Sequence, residues 1–294
     1  MADYVWASGA RLLGAGADGE VRVGFHRKTG DKVAMKKMYE HEYLYDAIIN
    51  ESEILEEVVH DNVVNLLGLT CNNQGTFMVM ELMDRSLSDV ISSRKLGEHD
   101  IRAVMRQILK GLVWIHAHRI VHQDVKTSNV LFVVKLADFA TARRLQTRPW
   151  SNKVGTLTFN APELLKGATS FGTAIDVWGA GCIFAEMLLG SNPFDVPDEE
   201  DGDSLDYFQS REIELLRAGE FPDGCPLSDE AEDLICGMLA VEPSERLTLD
   251  GVLEHPWIVE NCSSKTIQKR KRCGVKRSAP GFSSDLVVKK VRAA

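Results

Sequence analysis

Apolar residues along the chain change their period once, and the change divides it. Between residues 4 and 37 short apolar runs alternate with glycine-rich turns, and RLLG, EVRVGFH and KVAMKK carry the alternation of strands. Thr29-Gly30-Asp31 lies between the last two as a hairpin turn. Residues 43–58 instead place Ile48, Ile49, Ile54, Leu55 and Val58 at near-helical spacing, which predicts one amphipathic helix. VVNLLGLTC and TFMVMEL predict two more strands. From Ser88 onward the period is helical, in IRAVMRQILKGLVWIHAHR, TAIDVWGAGCIFAEMLLG, SREIELLRAG, SDEAEDLICGMLA and TLDGVLEHPWI. Strands with one helix, followed by mostly helices, predict an α+β chain of two lobes joined near Met83 and Asp84.

Composition adds size and a third part. A chain of 294 residues, 44% hydrophobic and 26% charged, is globular and long enough to bury a core in each lobe. Collagen-like, low-complexity and wholly disordered classes are excluded. The most apolar stretch, Val177 to Gly190, is too short to cross a bilayer and contains Glu186. The first residues lack the basic and apolar regions of a signal peptide, so an intracellular chain with no membrane partner is expected. Six cysteines without a C-x-x-C pair or zinc-like spacing are expected to be reduced thiols. The net charge of −9 conceals two opposed parts. Residues 260–294 hold ten Lys/Arg against two acids, a net +8, which leaves −17 on an acidic body ending near Ile258. That tail shows little periodicity and is expected to be disordered. Its KRKRCGVKR run, Lys269 to Arg277, resembles a nuclear localisation signal or folds back on the acidic body, so cytoplasmic and nuclear locations both stay open. VPDEEDGDSLD is read as a solvated loop, or as an attractor for basic substrate segments.

The candidate chemistry begins at Gly14 to Val21. GAGADGEV fits G-x-G-x-x-G-x-V, and because EVRVGFH follows the glycines as a strand, the motif is a hairpin lid whose N–H groups can cover phosphates. Val33-Ala34-Met35-Lys36 then places a lysine on the next strand, within reach of Glu51 on the helix. Further on stand His122-Gln123-Asp124-Val125-Lys126-Thr127-Ser128-Asn129, Asp138-Phe139-Ala140, Ala161-Pro162-Glu163, Asp176-Val177-Trp178-Gly179 and Arg246. Two Asp, one Asn and two Lys around a divalent cation supply the positioning and charge neutralisation that phosphoryl transfer requires.

With these motifs in this order, residues 8 to 258 resemble the eukaryotic protein kinase family, serine/threonine type, and within it cyclin-dependent kinases. The resemblance implies a bilobal kinase fold: N-lobe 1–83, C-lobe 84–258 and basic tail 259–294. It implies ATP and Mg2+ as cofactors, a protein substrate, no nucleic-acid partner, and leaves a cyclin-like regulator open. Asp124 is implied to orient and accept the proton of the attacking hydroxyl, Lys126 to steady the γ-phosphate, and Lys36, paired with Glu51, to hold the α and β phosphates. Asn129 and Asp138 are the implied Mg2+ ligands. Leu13, Gly14, Ala15, Gly16, Gly19, Val21, Ala34, Lys36 and Met80 are implied to surround the nucleotide, with backbone groups of Glu81 and Met83 meeting adenine. Thr156 is placed to bond Asp124 and Lys126. Glu163 with Arg246, and Asp176 under the catalytic loop, are implied to be architectural.

The departures from that pattern are specific. Asn50 and Gln123 stand at two of three positions where arginines clamp a phosphorylated activation-segment residue, here Ser151, and only Arg143 remains. A phosphate wants several guanidinium donors, so Ser151 phosphorylation is expected to activate weakly. Ala17 and Asp18 replace phosphorylatable residues of the lid, and Gly155 with Asn160 removes the pair that implies proline-directed specificity. Ala140 replaces a glycine. Between Asn129 and Asp138 the segment VLFVVKLA is short and has no turn residue, so it either closes as a tight, strained loop or reflects a loss of residues. The alternative to an active kinase is a pseudokinase acting as a nucleotide-binding scaffold.

Overall fold

The structure is a computed structural model. It describes residues 3–6, 9–16, 19–38, 45–72, 75–145, 155–168, 171–192, 194 and 228–259. By contact the chain divides into residues 1–261 and 262–294, and the described residues all belong to the first unit. The basic tail, the acidic run, Ala17, Asp18, Ser151 and the predicted SREIELLRAG helix lie outside the described residues.

The amino-terminal part is one antiparallel sheet. Its strands are β1 (Tyr4–Val5), β2 (Leu12–Gly16), β3 (Gly19–His26), β4 (Lys32–Met38), β5 (Leu66–Asn72) and β6 (Gly75–Glu81). They lie in the order β1-β3-β4-β6-β5, with β2 sharing the edge of β3. The predicted turn between β3 and β4 forms, closed by His26 N–H donating to Asp31 O at 2.9 Å, and Gly30 supplies its left-handed residue at φ 76°. Alternation sorts the side chains by face. Val33, Met35, Phe77 and Val79 form an outer cluster with Tyr4 and Trp6, while Ala34, Met78 and Met80 join the main core. Lys36 shares the Ala34 face of β4, which turns its side chain to the inner side. There the helix α1 (Tyr45–Glu57) packs through Ile54 and Leu55, as its spacing predicts.

The second lobe is mainly helical: α2 (Leu87–Ser93), α3 (Glu98–Ala117), α4 (Pro162–Leu165), α5 (Ala174–Leu189), α6 (Asp229–Met238), α7 (Leu249–Leu253) and α8 (Pro256–Val259). A capping box of Ser86 and Asp89 starts α2 just after the hinge, satisfying N–H groups that no earlier residue can reach. Ile101, Met105, Ile108, Leu112 and Ile115 give α3 a buried stripe, and α5 is buried almost throughout. TLDGVLEHPWI reads as one helical run but forms two helices. Pro256 has no N–H and its ring collides with the preceding turn, so α7 ends and α8 restarts from His255 O, which accepts from Ile258 N–H at 2.9 Å.

Short strand pairs that periodicity does not predict frame the loops between the lobes. β7 (Arg85–Ser86) pairs with β9 (Val130–Phe132), which pairs with β10 (Lys135–Leu136); β8 (Ile120–Val121) pairs with β11 (Arg143–Arg144). The short segment closes as a tight β9–β10 hairpin. Leu131 faces Lys135, and Val134 turns the chain at φ 45°. A β-branched residue held there costs on the order of 1–3 kcal/mol. The loop is braced to offset this: the Val134 side chain is buried, Asn62 Nδ2 donates to Val134 O at 3.0 Å, and Leu136 N–H donates to Asn62 O at 2.9 Å.

Candidate active site

One side of the cleft is built by the lid and the sheet. Gly16 faces Gly19 across the β2–β3 hairpin, so the glycine motif is a strand-turn-strand lid as its sequence predicts. Leu13 and Val21, partly buried, pack on the same cluster as Ala34 and Met80, whereas Gly14 and Ala15 are exposed. Leu131 on β9 packs on the same main core, which extends through both lobes. Glu81 ends β6, and Leu82 and Met83 lead out of the strand toward β7. The Glu81 carboxylate accepts from Asn65 N–H and from Lys135 Nζ, both at 2.7 Å, which straps the hinge to the short hairpin. That link joins residues 54 positions apart, and nothing in the local pattern announces it.

Lys36 lies at the centre of the cleft. Its Nζ donates to Glu51 Oε1 and Oε2 at 3.1 and 2.9 Å and to Asp138 Oδ1 at 3.0 Å. Burial opposes the charge on Lys36, but the two carboxylates outweigh it and raise the lysine above its ordinary value. Burial likewise works against the Asp138 carboxylate, and Lys36 outweighs it and holds Asp138 below the usual range. The predicted pair therefore forms and also reaches the aspartate.

The catalytic loop closes around Asp124. Thr156 Oγ1 donates to Asp124 Oδ1 at 2.8 Å, while Oδ2 receives Asn129 Nδ2 at 2.9 Å and Lys126 Nζ at 2.7 Å. Lys126 Nζ also donates to Thr156 Oγ1 at 2.7 Å. The carboxylate is thus fixed by three side chains from two segments. Beneath it, Asp176 Oδ1 and Oδ2 accept the N–H groups of Gln123 and His122 at 3.0 and 2.9 Å, and His116 Nε2 lies 2.7 Å from Oδ2. Burial opposes the Asp176 charge, and these bonds keep its pKa below the usual range. The bracing holds Gln123 in the left-handed region, at φ 69°. Arg246 meets Glu163 through two bonds of 2.7 and 2.9 Å with the guanidinium fully buried, the expected architectural pair.

A family model described as "Protein kinase domain" matches residues 8–258. The chain belongs to the protein kinase family. Curated relatives include "Cell division control protein 2 homolog 3" of Trypanosoma brucei brucei, 33% identical over 84% of this chain and 89% of that protein. "Cyclin-dependent kinase 7" of Dictyostelium discoideum is 32% identical over 84% and 78%, and "Cyclin-dependent kinase 9" of Homo sapiens 32% over 83% and 77%. The chain is therefore a kinase of cyclin-dependent-kinase-like type, with the bilobal α+β architecture that its motifs imply.

In this kinase Asp138 and Asn129 fit a hard divalent cation. Mg2+ takes oxygen ligands, often one or two from protein and the rest from water and phosphate. Asn129 spends its Nδ2 on Asp124, which leaves its Oδ1 for a cation, and Asp138 offers a carboxylate at φ 63°. No group of three His, Cys, Asp or Glu suited to a metal occurs among the described residues.

The clamp position of the kinase differs from the rest of the site. Asn50 Nδ2 donates to Ala142 O at 3.0 Å, and Arg143 donates to Ala142 O and Ala140 O at 2.7 and 3.1 Å. The Gln123 side chain is buried, and its Nε2 finds no hydrogen-bond partner among the described residues. Gly155 sits at φ 80°, where an added Cβ would come within 2.6 Å of Gln123 O and Asn160 Oδ1, so glycine is required there.

Proposed function

We propose that the chain is an ATP-dependent protein serine/threonine kinase that uses Mg2+ and transfers the γ-phosphate of ATP to Ser/Thr hydroxyls of protein substrates. The observation that carries this reading is the closed polar cluster of Asp124, Lys126, Asn129 and Thr156 beside the Lys36–Glu51–Asp138 chain. Asp124 orients the attacking hydroxyl and takes its proton as the oxygen bonds to phosphorus and the bond to the ADP oxygen breaks. Lys126 neutralises γ-phosphate charge from the same cluster, and Lys36 aligns the α and β phosphates. Asp138 and Asn129 would hold Mg2+, which would supply charge neutralisation to the phosphates. Leu13, Val21, Ala34, Met80 and Leu131 enclose the base, with Glu81 and Met83 presenting backbone groups to it. Lys126 with Thr156 favours hydroxyls of Ser and Thr.

A nucleotide-binding scaffold without transfer is the second reading, and Gln123, Ala140 and the short segment between Asn129 and Asp138 are the features that favour it. One experiment separates the two. Wild type is expected to gain thermal stability with Mg·ATP and to phosphorylate a generic basic protein, and Asp124→Asn to keep the stabilisation while transfer falls about 10²–10⁴-fold. Stabilisation without transfer in wild type makes the chain a scaffold. Residues 1–83 and 84–258 act as the two lobes and 259–294 as an appended basic tail. A cyclin-like regulator, and nuclear as well as cytoplasmic residence through Lys269 to Arg277, belong to this proposal and are tested by co-purification and by tail deletion.

A further inference from the structure

Residues 50 and 51 are neighbours on α1, yet their side chains reach the two ends of one short segment. Glu51 reaches Asp138 through Lys36, and Asn50 reaches the Ala142 carbonyl directly. The contacts form a ring: Asp138, Lys36, Glu51, the α1 backbone, Asn50, Ala142, and back along residues 138–142. Arg143 donates to the same carbonyl, and Thr141 Oγ1 donates to His122 O at 3.0 Å, so the far side of the ring is fixed to the catalytic loop. β11 ties the next two residues to β8. A rotation of α1 that carried Glu51 away from Lys36 would also break the Asn50 bond. Arg144 adds an ion pair to Glu57 at 2.6 Å, which is half exposed and contributes little by itself.

We propose that Asn50 is a positioning residue: its amide ties α1 to the start of the activation segment and sets the Lys36–Glu51 pair for phosphoryl transfer without a phosphate on that segment. The proposal rests on the transfer reading above. At a site where clamping a phosphate needs charge, the neutral amide supplies one N–H to a backbone carbonyl, and Arg143 is turned to the same carbonyl.

The test compares full-length wild type, Asn50→Leu, which keeps the size and removes the donor, and Asn50→Gln, which keeps a donor amide. Hydrogen exchange of residues 49–57 and 138–144 in Asn50→Leu is expected to rise about fivefold or more, with exchange in α3 unchanged. Its melting temperature stays within about 2 °C of wild type. kcat falls about tenfold or more because a small displacement of Lys36 misaligns the phosphates, and KM for the protein substrate stays within about twofold. Asn50→Gln restores exchange and most of kcat, which a merely structural loss does not explain. Phosphatase-treated wild type, and wild type carrying Ser151→Ala, keep most of the activity. The proposal is overturned if Asn50→Leu exchanges like wild type, if Leu and Gln behave alike, or if phosphatase removes nearly all activity. Should wild type bind Mg·ATP and transfer nothing, the kinase reading fails, and hydrogen exchange alone still decides for or against the tie.

Discussion

Asp124 and Gln123 are adjacent in sequence, buried to similar degrees, and in opposite condition. Each Asp124 carboxylate oxygen has side-chain donors, from Thr156 on one side and from Asn129 and Lys126 on the other. The Gln123 amide nitrogen has no partner among the described residues although its backbone is held by Asp176. A buried polar group is normally satisfied, so the contrast separates two parts of one loop. The Asp124 carboxylate is over-determined. At the positions aligned with a phosphate clamp only the charge of Arg143 stands, and Asn50 and Arg143 both donate to backbone carbonyls.

The sharpest way to break that contrast is to strip the chemistry half of its central cation. Lys36→Met leaves Glu51, 1% exposed, and Asp138 facing each other without a counter-charge. Losing one partner of a buried pair typically costs about 3–5 kcal/mol. Denaturant unfolding is expected to show that loss, and γ-phosphate transfer to vanish. The double variant Lys36→Met with Glu51→Met should recover most of the stability and none of the transfer, because it removes the uncompensated charge but not the need for a cation on the phosphates. A single variant as stable as wild type would mean that the pair is not the keystone of the cleft.

Acid is a gentler probe of the same half. The folded pKa values of Asp138 and Asp176 are both depressed, against burial, by Lys36 in the first case and by His116 and backbone N–H groups in the second. A depressed carboxyl contributes stability that is present above its unfolded pKa, about 3.9, and is lost as pH falls through the lower folded value. The melting temperature should hold from neutral pH to about pH 4 and then fall, and Asp138→Asn should flatten the fall. Gln123→Met removes no carboxyl and keeps the N–H that Asp176 accepts, so it should leave the shape of the profile unchanged. A steep decline that begins near pH 6 would point to a histidine instead.

How much the sequence reveals depends on the range of the interaction. Strands β2 to β4, α1, α3 and α5 declare themselves because their burial repeats every two or about 3.6 residues within one segment. The site residues declare themselves by type and order, since Lys36, Glu51, Asp124, Asn129 and Asp138 sit in motifs whose chemistry is local. The two-residue strands β7, β8 and β11 carry no period to detect. The Glu81–Lys135 strap and the Asn50–Ala142 bond join segments far apart in the chain, one of them through a backbone carbonyl that no side-chain pattern records. The β9–β10 loop turns without any glycine, asparagine or proline because Asn62, some seventy residues earlier, holds it from the side. TLDGVLEHPWI shows the reverse error, a continuous apolar period that Pro256 interrupts.

The smallest expected effect tests the comparison at its weak side. Gln123→Met keeps the length of the side chain and removes an amide donor that is buried without a partner among the described residues. Leaving such a group unmet costs on the order of 1–3 kcal/mol, and an apolar replacement of similar shape removes that cost. The backbone at this position is held through its N–H by Asp176, which the substitution does not touch, although φ 69° is already demanding for any side chain with a Cβ. Gln123→Met is therefore expected to raise stability by up to about 1 kcal/mol in denaturant unfolding, with transfer within about twofold of wild type. If it destabilises instead, the Gln123 amide has a partner in solution, and the site beside Asp124 is a built binding position, not a vacated one.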